Sequence, residues 1–215
     1  MKDLTSITII LDRSGSMESV KGETITGFNS FLKSQKKESG EAQLSLIQFD
    51  HEYEAVYLNK PLSDASDLNV ETYQPRGYTA LLDAIGRTIN EVGTRLANTS
   101  ENERPNKVLF VIITDGEENS SREFNKPKIN EMINHQKAQY NWDFLFIGAN
   151  QDAIAEASQL GISADNSLDY AANSEGTQAV FASLSANIKA YRQGGSVQFS
   201  AIDREVQSKA GAKKR

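Results

Sequence analysis

Runs of apolar and β-branched residues alternate along the chain with segments whose apolar residues recur at helical spacing. The apolar runs predict six strands, at residues 6–12, 42–50, 54–58, 107–115, 142–150 and 167–172, the last of them weak. Hydrophobicity within these runs is continuous rather than alternating, which is typical of strands buried on both faces. The pattern therefore indicates a mostly parallel sheet covered by helices.

The segments between the strands predict amphipathic helices because their apolar residues form one stripe. The predicted helices span residues 20–34, 80–97, 126–138, 151–160 and 174–192. Such alternation predicts a doubly wound α/β domain with a six-stranded sheet and helices on both faces. The link between the second and third strands is too short for a crossover helix, so the third strand is expected to be an antiparallel edge strand.

Length and composition narrow the class of protein. The 215 residues suit one domain, which we place at residues 1–194, followed by a polar, basic and flexible tail at 195–215. The chain has no cysteine and two histidines, which excludes thiolate chemistry and argues against a histidine-rich zinc centre. Neither a secretory leader nor an apolar stretch of roughly 20 residues is recognisable, so we expect a cytoplasmic protein without membrane contact. The net charge of −6 argues against a nucleic acid partner.

Polar residues are expected to collect at the carboxyl edge of this sheet, where α/β domains bind their ligands. Asp12 ends the first predicted strand and is followed by Ser14 and Ser16, and Asp115 ends the central strand. Thr79 stands just before a predicted helix, where its hydroxyl could equally be an ordinary N-cap. Two carboxylates and three hydroxyls from three loops form an oxygen-only donor set. Such a set selects a hard divalent cation, Mg²⁺ or Mn²⁺ in preference to Ca²⁺ in so compact a site.

The balance of charge at such a site predicts how it would act. If hydroxyls hold the inner positions and carboxylates act through water, the cation keeps an electrophilic, incompletely filled face. That face attracts an external anionic oxygen. We therefore expect a protein partner that offers a Glu or Asp carboxylate to the cation.

The same residues form a recognisable pattern, D-x-S-x-S followed by a distant Thr and a distant D-G pair. In this chain the three parts read "DRSGS", "GYT" and "TDG". They resemble the complete metal-ion-dependent adhesion site (MIDAS) of the von Willebrand factor A family, and the resemblance extends over residues 4–192. It implies that Ser14 and Ser16 bind the metal directly, Thr79 directly or through water, and Asp12 and Asp115 largely through water.

Two local features refine this resemblance. Gly77 and Tyr78 stand where the family often has two glycines before the threonine, which narrows access to the metal. The short loops and the sequence "SGSM" resemble intracellular bacterial or phage members of the family, including those encoded beside tellurite-resistance genes.

Further polar residues at strand ends and in loops are expected to form a rim around this site. The rim mixes acidic, basic and aromatic groups, which favours a partner surface carrying basic groups and one acidic anchor. The predicted rim residues are Asp50, His51, Arg76, Tyr78, Glu117, Glu118, Asn150 and Gln151.

A metal-dependent phosphatase or phosphotransferase of the haloacid dehalogenase kind is the main alternative, since it also begins with an aspartate at the first strand end. That chemistry requires a second carboxylate two residues on as general acid, and Ser14 occupies this place. No phosphate-binding glycine loop follows the first strand, and "RSGSM" lacks the glycines of a nucleophile elbow. We therefore expect a binding domain without catalytic residues, not an enzyme; its oligomeric state is not predicted.

Overall fold

The sheet in the computed structural model has six strands, and the structure describes residues 2–149 and 152–212. The strands are β1 (Lys2–Asp12), β2 (Glu41–Phe49), β3 (Tyr53–Pro61), β4 (Pro105–Thr114), β5 (Asp143–Ala149) and β6 (Ser167–Tyr170). Their order across the sheet is β3-β2-β1-β4-β5-β6. The pair β2 and β3 is antiparallel and every other neighbouring pair is parallel. This confirms the predicted fold, including the antiparallel edge strand.

Helices cover both faces of the sheet. They are α1 (Lys21–Gln35), α2 (Leu81–Ala97), α3 (Lys126–Tyr140), α4 (Ala153–Gln159), α5 (Ser174–Arg192) and α6 (Ala201–Ala212). Buried residues of α1 and α5 share one apolar cluster with the sheet, and those of α2, α3 and α4 share the other. Of the helices in the described ranges, none has the length and hydropathy that a membrane span requires.

The two central strands define where a ligand site can form. The chain leaves β1 towards α1 on one face of the sheet and leaves β4 towards α3 on the opposite face. The loops that follow β1 and β4 therefore diverge at the carboxyl edge and leave a crevice between them. This is the switch point of the strand order, at which open α/β sheets bind ligands.

The C-terminal residues differ from the predicted flexible tail, because α6 lies there and packs on the domain. Val197 and Phe199 are buried in the same apolar cluster as α5. Gln207 is 5% exposed, and its amide accepts the Ala171 N–H at 3.2 Å and donates to the Gly176 carbonyl at 3.1 Å. The sequence signal was weak because α6 buries only Gln207 and Ala210, which form no apolar stripe. Residues 213–215 lie outside the described ranges.

Candidate metal centre

Two aspartates lie at the carboxyl edge of the sheet, on the two sides of the switch point. Asp12 is the last residue of β1 and is fully buried, and Asp115 follows β4 and is 2% exposed. Since β1 and β4 are parallel neighbours, the fold brings together two carboxylates that are far apart in the sequence.

Three hydroxyl groups converge beside these carboxylates. A Cβ built on Gly116 would lie 3.1 Å from Thr79 Oγ1, 3.4 Å from Ser16 Oγ and 3.7 Å from Ser14 Oγ. The two serine hydroxyl oxygens are 3.1 Å apart, and Ser16 Oγ donates to Asp115 Oδ1 at 2.5 Å. Oxygen atoms from the loops after β1, before α2 and after β4 therefore surround one small region next to Gly116.

Asp12 uses both of its carboxylate oxygens within the protein. Oδ1 accepts the Ser14 N–H at 2.6 Å, and Oδ2 accepts the Thr114 hydroxyl at 2.6 Å. The first bond spans two residues and closes a tight turn of the kind that aspartate favours. Asp12 thus fixes the backbone that carries Ser14 and adds negative charge to the site, as a residue that orients metal ligands would.

Burial raises the pKa of both carboxyl groups. Desolvation raises the pKa of Asp12 to about 6, although hydrogen bonds from Thr114 and Ser14 oppose the rise. Desolvation also raises the pKa of Asp115, against a hydrogen bond from Ser16. A bound divalent cation would stabilise both ionised carboxylates in this poorly solvated place.

The chemistry of the donor set fits a hard divalent cation. Within the described ranges, no group of three or more His, Asp or Glu side chains is placed to hold a metal ion. The hydroxyls of Ser14, Ser16 and Thr79 are therefore needed to complete a site around the two carboxylates. Ser14 and Thr79 are 2% and 3% exposed, whereas Ser16 is exposed. These three hydroxyls, called the hydroxyl cluster below, are therefore open to solvent on the side of Ser16.

The surroundings of Thr79 distinguish the two interpretations of its hydroxyl. Helix α2 begins at Leu81 and has no side-chain N-cap bond. Glu118 Oε2 instead accepts an N–H of the first helical turn at 3.0 Å. The Thr79 N–H donates to Asn119 Oδ1 at 2.9 Å, and the Asn119 N–H donates to the Thr79 carbonyl at 3.1 Å. Thr79 is thus held by the loop after β4 and does not cap the helix.

Tyr73 supports the site from within the core. It is fully buried, and its hydroxyl donates to the carbonyl of Asp12 at 2.7 Å.

Tyr73→Phe removes only this hydroxyl, so the backbone that carries the serines loses one support. We expect Mg²⁺ affinity to fall about tenfold, as for other residues that position metal ligands. The free energy of unfolding should fall by about 1 kcal/mol. Titration calorimetry and urea unfolding measure the two effects.

Tyr57→Phe is the matched control for this substitution. The Tyr57 hydroxyl is also buried but has no hydrogen-bond partner within the described part of the chain. Its removal should leave Mg²⁺ affinity unchanged. Equal losses of affinity in the two variants would show that Tyr73 has no positioning role.

Asp50 differs most from its predicted place on the rim, because it is fully buried. Its Oδ2 accepts the Nε–H groups of Arg13 at 3.0 Å and Arg76 at 2.9 Å, and its Oδ1 accepts the Glu52 N–H at 2.6 Å. His51 Nδ1 lies 3.3 Å from Oδ1. A partner cannot reach a carboxylate with these neighbours and no exposed surface. Asp50 therefore holds together the loops that carry Arg13 and Arg76, beside the candidate centre.

Four predicted rim residues are exposed, and two of them, Arg76 and His51, lie against the buried Asp50 carboxylate. Tyr78 is 69% exposed, and Glu117 is also exposed. The Arg76 side chain is 51% exposed while it pairs with Asp50 and Glu52, and the His51 side chain is 47% exposed. These residues lie on the surface near the hydroxyl cluster.

Of the remaining predicted rim residues, Glu118 makes contacts within the protein. The Glu118 carboxylate accepts the N–H groups of Ser120 and Ser121, the hydroxyl of Ser121 and an N–H of α2. Glu118 therefore closes its own loop onto the helix and has no group left for a partner. Asn150 and Gln151 lie outside the described residues.

Sequence reasoning missed residues that act behind the hydroxyl cluster. Thr114 and Tyr73 bond to Asp12, Asn119 holds Thr79, and Arg13 binds Asp50. Thr114 and Arg13 are each adjacent in sequence to a predicted ligand, which is a usable signal. Tyr73 and Asn119 lie in loops without periodicity, so only the folded structure places them.

Gly77, in the loop before Thr79, occupies a position where a side chain would not fit. Its φ is +67°, and an added Cβ would lie 2.2 Å from His51 Nδ1. Its carbonyl accepts the Gly15 N–H at 3.2 Å, which ties the loop before Thr79 to the loop after β1. A glycine is needed at this junction because of both its backbone angle and its lack of a side chain.

Solved structures of several proteins share this fold at low sequence identity. The pilus adhesin SpaC from Lactobacillus rhamnosus GG is 18% identical with a TM-score of 0.63, over 87% of this chain and 31% of that chain. Proximal thread matrix protein 1 from the mussel byssus, with a zinc-occupied MIDAS motif, is 16% identical with a TM-score of 0.56, over 86% and 46%. The ArnB paralog VWA2 from Sulfolobus acidocaldarius is 16% identical with a TM-score of 0.54, over 87% and 45%.

This chain therefore spans less than half the length of each of these three proteins. A search of curated protein sequences found no match. The family described as von Willebrand factor type A domain matches residues 6–184, a segment that contains all five residues of the candidate centre. The chain belongs to the von Willebrand factor type A domain family.

Proposed function

We propose that this protein is a divalent-cation-dependent protein-binding domain. Ser14 and Ser16 would hold the cation directly, Thr79 directly or through water, and Asp12 and Asp115 chiefly through water. The bound cation supplies a Lewis-acidic position that accepts one external carboxylate. The chain's own residues orient that position and balance part of its charge.

One observation carries this proposal, namely the convergence of three hydroxyl oxygens on a single region beside two buried carboxylates. Desolvated carboxylates are costly unless they are compensated. The hydroxyls complete an oxygen-only set that a hard cation prefers, and the exposed side at Ser16 leaves room for a further ligand.

The kind of partner follows from the charge of the site. A cation that is only partly balanced by the protein favours an anionic oxygen, so we propose that a Glu or Asp side chain of a partner protein is captured. We propose Mg²⁺ or Mn²⁺ as the physiological ion, since both prefer oxygen donors in a compact site. We also propose a cytoplasmic protein of the bacterial or phage type, similar to those encoded beside tellurite-resistance genes.

A binding role is favoured over a phosphatase or phosphotransferase of the haloacid dehalogenase kind. In that chemistry the first aspartate attacks phosphorus, which requires an accessible carboxylate oxygen. Asp12 is fully buried, and both of its oxygens accept hydrogen bonds within the protein. Turnover of a generic phosphomonoester that requires Mg²⁺ and disappears in Asp12→Asn would contradict the binding role.

Thr79→Ala tests the role of the third hydroxyl. Because Thr79 makes no helix-cap bond, its loss should cost about 1 kcal/mol of stability or less. Loss of one contact to the cation should lower Mg²⁺ affinity about tenfold. Calorimetric titration and urea unfolding provide the comparison, with Thr79→Ser as a control that keeps the hydroxyl. A loss of stability without a loss of affinity would assign Thr79 to the fold alone.

Capture of a carboxylate is tested with a C-terminally amidated peptide of glycines that carries an uncharged BODIPY label and a single glutamate, called here the one-acid peptide. We expect its fluorescence anisotropy to rise with protein in Mg²⁺ and not in EDTA. The same peptide with glutamine in place of glutamate is the control. Equal binding of the two peptides in Mg²⁺ would contradict capture of an acidic side chain.

A further inference from the structure

A cavity of about 400 Å³ opens beside the candidate metal centre. Its walls come from the turn after β2, the beginning of α2 and the loop before α3. Tyr78 and Ala80, which flank Thr79 in the sequence, both line it. The cavity and the hydroxyl cluster therefore share the loop that carries Thr79, and one partner segment can contact both.

The inner walls of this cavity are apolar. Phe49, Ala80 and Ala84 are 1%, 8% and 2% exposed, and Tyr53, which also lines the cavity, is half-buried. Tyr78 stands at the mouth with most of its ring exposed. A charged group that enters here is partly shielded from water, so its interactions with opposite charge are stronger than on an open surface.

Two acidic residues that line the cavity already accept hydrogen bonds from other residues of the protein. The Asp83 carboxylate accepts the three backbone N–H groups of residues 122–124, at 2.8, 2.9 and 2.9 Å. Glu52 accepts a hydrogen bond from Arg76 at 2.6 Å. Glu123 is the other acidic residue of the lining, and its side chain is exposed.

Two guanidinium groups of the lining have no acidic partner among the residues that the structure describes. Arg87 lies over the Tyr53 ring, with its Cζ 4.9 Å from the ring centroid. The Arg122 side chain is exposed. Within the described part of the chain, neither guanidinium takes part in an ion pair or a hydrogen bond. A guanidinium fork presents paired donors that match the two oxygens of a carboxylate.

We propose that this cavity binds a second acidic side chain of the partner segment whose first acidic side chain reaches the metal centre. The inference rests on the proposed function and names the partner chemistry further. Arg87 and Arg122 provide the positive charge, while Phe49 and Tyr78 contact the carbon atoms of the side chain. The recognised segment therefore carries two carboxylates separated by a few residues.

The test compares the one-acid peptide with a set of two-acid peptides, in which two glutamates are separated by varied numbers of glycines. Fluorescence anisotropy in Mg²⁺ should show that the best two-acid peptide binds the wild type about fivefold more tightly, the effect of one additional ion pair. The double variant Arg87→Gln with Arg122→Gln should bind both peptides with the affinity that the wild type shows for the one-acid peptide.

A matched control removes the same charge elsewhere. Lys33 and Lys37 are exposed at the end of α1, at the opposite edge of the sheet, and Lys33→Gln with Lys37→Gln should keep the fivefold preference. Circular dichroism melting checks that both double variants fold. A preference that is absent in the wild type, that survives loss of the two arginines or that is lost equally in the lysine control would overturn the proposal.

The two proposals fail in different ways. Mg²⁺-dependent binding of the one-acid peptide with no gain from a second acid would overturn the cavity proposal and leave carboxylate capture in place. An arginine-dependent preference that persists in EDTA would support the cavity and contradict capture by a cation. Absence of binding by every peptide would contradict both.

Discussion

Asp12→Asn is expected to abolish the stabilisation of the protein by Mg²⁺. A ligand present at about 100 times its dissociation constant stabilises the native state by about 2.7 kcal/mol. For a domain of this size, each kcal/mol corresponds to about 2–4 °C in melting temperature, so the wild type should gain about 5–10 °C. The variant keeps the shape of the side chain but loses one of the two negative charges that hold the cation.

In EDTA, the same substitution should not lower the stability of the protein. Asp12 is fully buried beside Asp115, so its ionised carboxylate is costly without a cation. An asparagine can still accept the Ser14 N–H, so the variant should be at least as stable as the wild type in EDTA. Differential scanning calorimetry with and without Mg²⁺ measures both effects.

Asp67→Asn is the control, because Asp67 is exposed and undergoes the same chemical change. It should retain the full response to Mg²⁺. A rise in melting temperature of similar size in Asp12→Asn would show that Mg²⁺ stabilises the protein at another place.

Asp50→Ala is expected to cost about 3–5 kcal/mol of unfolding free energy, the largest loss of stability among these substitutions. The substitution leaves the Arg13 guanidinium, whose side chain is 7% exposed, without its buried partner, and removes one of the two ion pairs of Arg76. Arg13 keeps its contact with Glu54, which offsets part of the loss. Urea unfolding in EDTA measures this loss, because no bound cation then contributes to stability.

Glu117→Gln provides the comparison for a rim residue. Glu117 is exposed, so this substitution should change stability by no more than about 0.5 kcal/mol. If Asp50→Ala were equally mild, the buried ion pairs of Asp50 would contribute little to the stability of the protein.

The architecture could be predicted because its signals are local and repeated. Continuous apolar runs such as that of β4 indicated buried parallel strands, and the short link before Tyr53 required an antiparallel partner. The predicted helix at 174–192 coincides with α5, Ser174–Arg192. The long apolar stripe of α2 likewise marked a helix from about residue 80, and the structure begins it at Leu81.

The residues of the candidate metal centre could be predicted in part because parallel strands bring their carboxyl ends together. Asp12 and Asp115 follow from that rule, and the spacing of Ser14 and Ser16 follows from the family pattern. The structure places the hydroxyl oxygens of Ser14, Ser16 and Thr79 close to Gly116, and Ser16 donates to Asp115.

What could not be predicted depends on contacts between distant residues. Asp50 ends a strand as expected, yet Arg13 and Arg76 from two other loops enclose it. Its burial is therefore a property of three loops together and has no signature in the sequence around it. Helix α6 was missed because its contacts are made through Gln207 and small residues, which carry little apolar signal.

Crystallography with Mn²⁺ tests whether Ser14, Ser16 and Thr79 surround a divalent cation. An anomalous difference map should show one peak next to Gly116, at about 2.2 Å from the hydroxyl oxygens of Ser14 and Ser16. The peak should be absent from crystals of Asp12→Asn grown in the same solution. A peak only at another place on the protein, or no peak in the wild type at millimolar Mn²⁺, would contradict a cation site among these three hydroxyls.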